Sequence, residues 1–173
     1  GDQNVGTGYN ALGANTTGAV NVAVGNYSLD ANTTGIRNSA LGYDALTSNT
    51  TGTQNSALGA YALGGSTTGD SNVAVGYDCF SQANTGSSCT AVGAYALKAN
   101  TSGNYNTAVG RNALTQNTTA IGNTAVGYDS LATNTTGGQN QAFGYESLES
   151  NTTGSNNNGF GYKALNVNTT GAA

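Results

Sequence analysis

The chain of 173 residues has no histidine, tryptophan, methionine or proline, and its charged side chains are only four Lys or Arg and eight Asp or Glu. Each absence removes a class of function. Without histidine and with so few carboxylates, general acid–base chemistry and a His-based metal site lack their raw material, and no nucleophile has an adjacent base. The sequence therefore reads as a non-enzyme without a cofactor. A net charge of −4 and a pI near 4.2 cannot neutralise a phosphate track, so no nucleic-acid partner is expected. No apolar run approaches the roughly 18 residues of a membrane span, so no membrane partner is expected. No charged segment followed by an apolar stretch opens the chain, which puts any export signal outside this sequence.

What the chain does have is 27 Gly, 26 Thr and 25 Asn, arranged with a period of 17 residues. Units begin at Asn4, Asn21, Asn38, Asn55, Asn72, Cys89, Asn106, Asn123, Asn140 and Asn157, with no insertion or deletion between starts. We number the positions of each unit 1 to 17 from these starts. The consensus is N-x-A-(V/L)-G-Y-(D/N)-(A/S)-L-x-x-N-T-T-G-x-x. Residues 1–3 fit as the end of a preceding unit, so 1–173 is one repeat array, expected to be an excerpt of a longer chain.

Gly and Asn are poor helix formers, and two Gly per unit leave no helical stretch, so the elements are strands. The unit divides into two strand-like pieces and two turns. The expected architecture is all-β: a rod-like parallel β-solenoid, or β-roll, of ten 17-residue coils stacked at about 4.8 Å. Position 5 is Gly in all ten units and position 15 in nine, which points to φ > 0 or to contacts too close for a Cβ. Position 4 (Thr7, Val24, Leu41, Leu58, Val75, Val92, Val109, Val126, Phe143, Phe160) and position 9 (Leu, or Phe80) are read as the core. Positions 3 and 4 point to opposite sides of a strand, so the Ala column at position 3, with the small residues of position 8, is expected to face a neighbouring chain. Two large apolar side chains per coil make a thin core, which favours a homo-oligomeric fibre.

Segments such as Asn123-Thr-Ala-Val-Gly-Tyr-Asp-Ser-Leu131, followed by Asn134-Thr-Thr-Gly137, resemble the tandem repeats of bacterial and phage tail-fibre-domain proteins over essentially the whole chain. The Ala-Val-Gly core more loosely resembles the head repeat of trimeric autotransporter adhesins, whose unit is shorter than 17. The resemblance implies a left-handed coil, a homotrimer or an end-to-end filament, and a structural fibre or stalk that is extracellular, on the cell surface or on a virion. A phage tail-fibre shaft is the alternative. An ice-binding solenoid ranks lower, because adjacent Thr at positions 13 and 14 point to opposite sides.

Four further features are candidates for sites. N-x-(S/T) sequons occur at Asn26 and, at position 12, at Asn15, Asn32, Asn49, Asn100, Asn117, Asn134, Asn151 and Asn168. They are either glycan acceptors or turn chemistry, in which Asn bonds local backbone. Tyr9, Tyr27, Tyr43, Tyr61, Tyr77, Tyr95, Tyr128, Tyr145 and Tyr162, at position 6 or 7, form an aromatic stripe. It either packs along the rod or stacks on cell-surface glycans as an adhesin, with Tyr105 filling the gap at Arg111-Asn112. Asp44, Asp78, Asp129 and Glu146 at position 7 lack a calcium-loop spacing and read as a solvated edge. Cys79 and Cys89 flank the irregular segment Ala83-Asn84-Thr85-Gly86 and are the candidates for a disulfide: a flattened coil holds them too far apart for one, whereas a more triangular cross-section or the irregular loop brings them together.

Overall fold

The computed structural model describes residues 1–171 and shows an all-β solenoid: one three-residue strand per coil, all ten in a single parallel sheet in chain order. The strands are β1 (Val5–Thr7), β2 (Val22–Val24), β3 (Ser39–Leu41), β4 (Ser56–Leu58), β5 (Val73–Val75), β6 (Thr90–Val92), β7 (Thr107–Val109), β8 (Thr124–Val126), β9 (Gln141–Phe143) and β10 (Asn158–Phe160). Register is fixed at 17 residues throughout, as in Ala74↔Ala91 and Ala91↔Ala108.

Among the described residues there is no second strand in the coil. Positions 5 to 12 instead run as successive tight turns, with N–H groups bonded three residues back: Ala96 to Gly93, Lys98 to Tyr95 and Asn100 to Leu97. Left-handed backbone at positions 7 and 9 makes these turns; in coil 6 they are Tyr95 (φ 62°) and Leu97 (φ 52°). Each reversal of φ turns the peptide dipole along the rod. Position 9 therefore donates to the next coil (Leu97 to Ala113) while position 7 donates to the previous one (Tyr95 to Tyr77). Leucine in the left-handed region costs on the order of 1–2 kcal/mol. The conformation is held because it drives the position-9 side chain into the coil, where Leu97, Leu114 and Leu131 are wholly buried.

The two invariant glycines have different reasons. At position 5 the backbone lies at φ 124–146°, and a Cβ on Gly110 would also meet the Gly127 carbonyl oxygen at 2.3 Å. At position 15 φ is not positive, but a Cβ on Gly137 would meet the Gly154 carbonyl oxygen at 2.1 Å.

The strand faces are the reverse of the sequence expectation. Ala23, Ala74, Ala91, Ala108, Ala125 and Ala142 at position 3 point inward and are buried, as are Ala, Ser or Cys at position 8 of coils 2 to 9. Val, Leu and Phe at position 4 point outward; Leu41 is 49% exposed and Phe160 65%. The interior is too narrow for them. Where position 3 is Gly159, a Cβ would already come within 2.6 Å of Ser147 Oγ and 3.2 Å of Leu148 Cγ. Each coil thus encloses one large apolar side chain rather than two.

Asparagine completes the interior. At position 12 the side-chain amides form a ladder: Asn117 Nδ2 donates to Asn100 Oδ1 at 2.8 Å, Asn134 to Asn117 at 3.1 Å and Asn151 to Asn134 at 2.9 Å. At position 1 the amide bridges main chain instead. Asn123 Nδ2 donates to the Gly137 carbonyl at 2.9 Å, and its Oδ1 accepts the Asn140 N–H at 2.9 Å. Thr at position 13 adds a hydroxyl bonded to the next coil's carbonyl, as Thr118 to Thr135 at 3.1 Å. Outside coils 3 to 5 the buried polar side chains are thereby paired, and the pairing recurs with the coil.

Candidate functional site

The outward face of the sheet carries a continuous column of exposed and half-buried apolar side chains. Position 4 forms a column of Val24, Leu41, Leu58, Val75, Val92, Val109, Val126, Phe143 and Phe160, half-buried to exposed, and Phe143 stacks on Phe160 with ring centroids 5.0 Å apart. Beside it runs position 2: Val in coils 1, 2 and 5, Ser in coils 3 and 4, and Thr in coils 6 to 8. The small Ser39 and Ser56 leave a groove of about 240 Å³ between the columns, walled by Val22, Leu41, Leu58 and Val75. Ten strands spaced about 4.8 Å apart make this stripe about 43 Å long. The expectation that the Ala column meets a neighbour is overturned with the reversal of faces; the column available to a neighbour is position 4.

Tyrosines form two contact runs whose geometry follows from their positions. In Tyr9, Tyr27, Tyr43, Tyr61, Tyr77 and Tyr95 the side chain alternates between positions 6 and 7, and successive rings meet edge-to-face, 5.3–6.1 Å apart at 76–90°. In Tyr128, Tyr145 and Tyr162 it stays at position 6, and the rings stack at 10° and 13°. The runs are separated by Arg111, whose guanidinium lies 5.7 Å over the Tyr128 ring. Tyr105 does not fill the gap: it sits in the position-17 column, 69% exposed. A hydrogen bond to Glu146 pushes the Tyr145 hydroxyl up to about 12, and the same carboxylate is held low by Lys163 at 2.9 Å.

The position-12 sequons are corrected by burial. Asn32, Asn49, Asn100, Asn117, Asn134 and Asn151 are fully buried; in the end coils Asn15 and Asn168 are half-buried, Asn15 accepting from Asn32 and Asn168 donating to Asn151. The Nδ2 atoms of the six buried residues are engaged inside the coil, so in the folded rod these six are structural amides and not glycan acceptors. Asn26, at position 6, is exposed.

The cysteine pairing is also corrected. Cys79 and Cys89 are free, and their thiols serve different corners: Sγ of Cys79 lies 3.3 Å from the Gly76 carbonyl oxygen, and that of Cys89 lies 3.3 Å from Gly103. Burial pushes the Cys79 thiol up to about 12 and raises Cys89 as well, leaving both poor nucleophiles. Among the described residues no three acidic, Cys or His side chains are grouped to hold a metal. Thr at position 14 is exposed, but the position-13 hydroxyl is spent on backbone, so the threonines present one column and not a two-column array.

Coils 3 to 5 depart from the pattern, which the sequence signalled only in part through Ala83-Asn84. The other half of the departure is Gly64-Gly65-Ser66, where coil 4 loses its side chains at positions 10 and 11 and its Asn at position 12. Asn84 takes the interior place instead, one residue late, pairing with Ser66 as an isolated parallel bridge. Three buried atoms, Asn49 Oδ1, Ser66 Oγ and Asn84 Oδ1, have no hydrogen-bond partner, and all lie at this fault. Outside it the coil opens into a polar notch of about 390 Å³ lined by Asp44, Ser48, Tyr61, Gly64, Gly65, Asp78 and others. Compared with family models, with curated proteins and with solved structures, the chain matches none.

Proposed function

We propose that the chain is a structural fibre segment, a stalk or shaft outside the cell or on a virion, that assembles side by side with copies of itself through the outward face of the strand sheet. The observation that supports this reading most is the position-4 column, in which Leu41, Leu58 and Phe160 stay 47–65% exposed while alanine fills the interior. An apolar stripe about 43 Å long and one strand wide covers roughly 400 Å², the size of the largest and often functional apolar patch on single chains, and here it is continuous and repeats with the coil. One large buried side chain per coil leaves the isolated rod short of apolar burial, and covering the stripe supplies it. The face repeats with the coil, so a second rod can lie along it in register over many coils. The likeness to the adhesin head repeat favours three chains around a common axis; the likeness to tail-fibre repeats favours a virion shaft.

The test is a pair of outward charges. Val92→Lys with Val109→Lys is expected to shift the assembly to smaller species in sedimentation while circular dichroism keeps the β-signal of each chain. Unchanged assembly size would remove the strand face from the interface.

A further inference from the structure

Polar side chains at position 7 find partners in two ways: Asn112 with Asp129 and Glu146 with Lys163 pair along their own column, while Asn10 and Asp78 reach position 10 of the next coil, 20 residues on. Asn10 donates to Asp30 at 3.0 Å, and Lys98 Nζ donates to Asp78 at 2.7 Å. By the same spacing the partner of Asp44 is Gly64, which has no side chain. Asp129, whose counterpart at that spacing is Glu149, is served instead by Asn112 at 2.8 Å. Asp44 therefore stands in the notch with no cationic side chain paired to it. Burial raises its carboxyl above the usual carboxylate range, and the hydrogen bond with Tyr43 offsets only part of that.

Around Asp44 the fault builds a recess. Gly64 and Gly65 remove the side chains from its floor; Tyr61, 38% exposed, forms one wall; Ser48, Ser81 and Gln82 supply hydroxyl and amide groups; Asp78 and Lys98 also line it, their charges paired with each other at 2.7 Å, which leaves Asp44 as its one unpaired charge. The three unpaired buried oxygens are on residues that directly follow the lining residues Ser48, Gly65 and Ala83. A ligand that fits must bring a cation to Asp44, an apolar face to Tyr61 and several hydroxyls to the remaining groups.

We propose that the notch binds a short amino-sugar oligosaccharide, with an ammonium on Asp44 in the place that Lys98 takes on Asp78, and with the C–H face of a sugar ring on Tyr61. Acidic glycans are disfavoured by Asp44 and by the chain's net charge of −4. The site uses positions 7 and 10 to 12, whereas self-association uses positions 2 and 4, so the two stand or fall separately.

The experiment is calorimetric titration of the intact chain with a β-1,4-linked glucosamine trimer, with the glucose trimer and trilysine as comparison ligands. Asp44→Asn removes the charge without changing volume. Gly64→Lys installs an internal ammonium at the Lys98-equivalent place, where a Cβ meets the Tyr61 and Asp44 carbonyl oxygens at 3.2 and 3.3 Å, a few tenths of an ångström inside ordinary contact. Tyr61→Ala removes the platform. The expected result is binding of the glucosamine trimer, weaker binding of the glucose trimer, and a loss of at least about tenfold in Asp44→Asn, Gly64→Lys and Tyr61→Ala, with β-content unchanged by circular dichroism. Undiminished affinity in Asp44→Asn, trilysine binding as tightly as the amino sugar, or no heat with the amino sugar would each overturn the assignment.

Discussion

Coils 6 to 10 and coils 3 to 5 are built from one unit, yet they differ where the interior is polar. From Asn100 to Asn168 every position-12 amide donates to the coil before it and to a position-15 carbonyl of its own coil, Asn100 itself only to the latter. From Asn49 to Asn84 the column is broken by Ser66, and three buried oxygens lose their partners. The apolar interior is the same in both regions: Ala57, Ala62 and Leu63 are as enclosed as Ala125, Ser130 and Leu131. Alanine and leucine set the shape of the coil, whereas the asparagine ladder sets how tightly one coil is bound to the next. A coil can lose the second without losing the first, and the surface above the loss opens into a notch.

The comparison is broken most severely by filling the shared apolar interior. Ala57→Leu in the broken region and Ala125→Leu in the regular one should each destabilise by about 1–3 kcal/mol, since neither interior has room for three more carbons. Thermal unfolding is expected to show similar losses, with no smaller folded species. Preserved stability in either variant would put position 3 back on the outside.

The ladder itself separates the regions. Asn117→Ala removes a donor to Asn100 Oδ1 and to the Ala120 carbonyl and an acceptor for Asn134, leaving buried groups unpaired at about 1–3 kcal/mol each. Asn49→Ala removes only the donor to Asn32 Oδ1 and the Gly52 carbonyl, because its own oxygen has no partner. Denaturant unfolding should therefore rank Asn117→Ala as the more damaging, and equal losses would show that the ladder is not cooperative. Repair sharpens the contrast: Ser66→Asn offers Asn49 Oδ1 a donor, and is expected to add about 1 kcal/mol and slow amide exchange across coils 3 to 5.

The smallest effect belongs to Asp44. Its folded-state pKa is raised by burial, so the folded chain holds a proton that the unfolded chain gives up, and stability falls as pH rises from the ordinary carboxylate range through the raised value. Asp44→Asn should be the more stable form at neutral pH by a few tenths of a kcal/mol. The difference should vanish on acidification below the ordinary carboxylate range; melting curves that stay apart there would assign the effect to something other than charge.

Much of the fold could be read from the sequence because the repeat admits no insertion: the period, the parallel stacking, the glycines at positions 5 and 15 and the amide column at position 12 follow from like stacked on like. What could not be read was the side of the strand that is inside. Size suggested Val92 over Ala91, but the left-handed turns at positions 7 and 9 narrow the coil until only Leu97 and a methyl fit. Nothing in residue type announces left-handed leucines, since ordinary strands avoid them. The sequons misled for a related reason: an Asn-Thr-Thr motif is the same string whether its amide faces solvent or another asparagine. The notch was half visible, in Ala83-Asn84, and would have been found by asking why coil 4 has Gly64-Gly65-Ser66 where other coils carry side chains.

The reversal of the strand faces is the claim on which the fibre reading depends, and electron cryomicroscopy of the assembled protein tests it directly. The account predicts rods whose strand sheets face one another, with Val75, Val92 and Val109 at the contact between chains and Ala74, Ala91 and Ala108 enclosed within each chain. Density placing the alanine column between chains, or rods that never meet along the strand face, would contradict it.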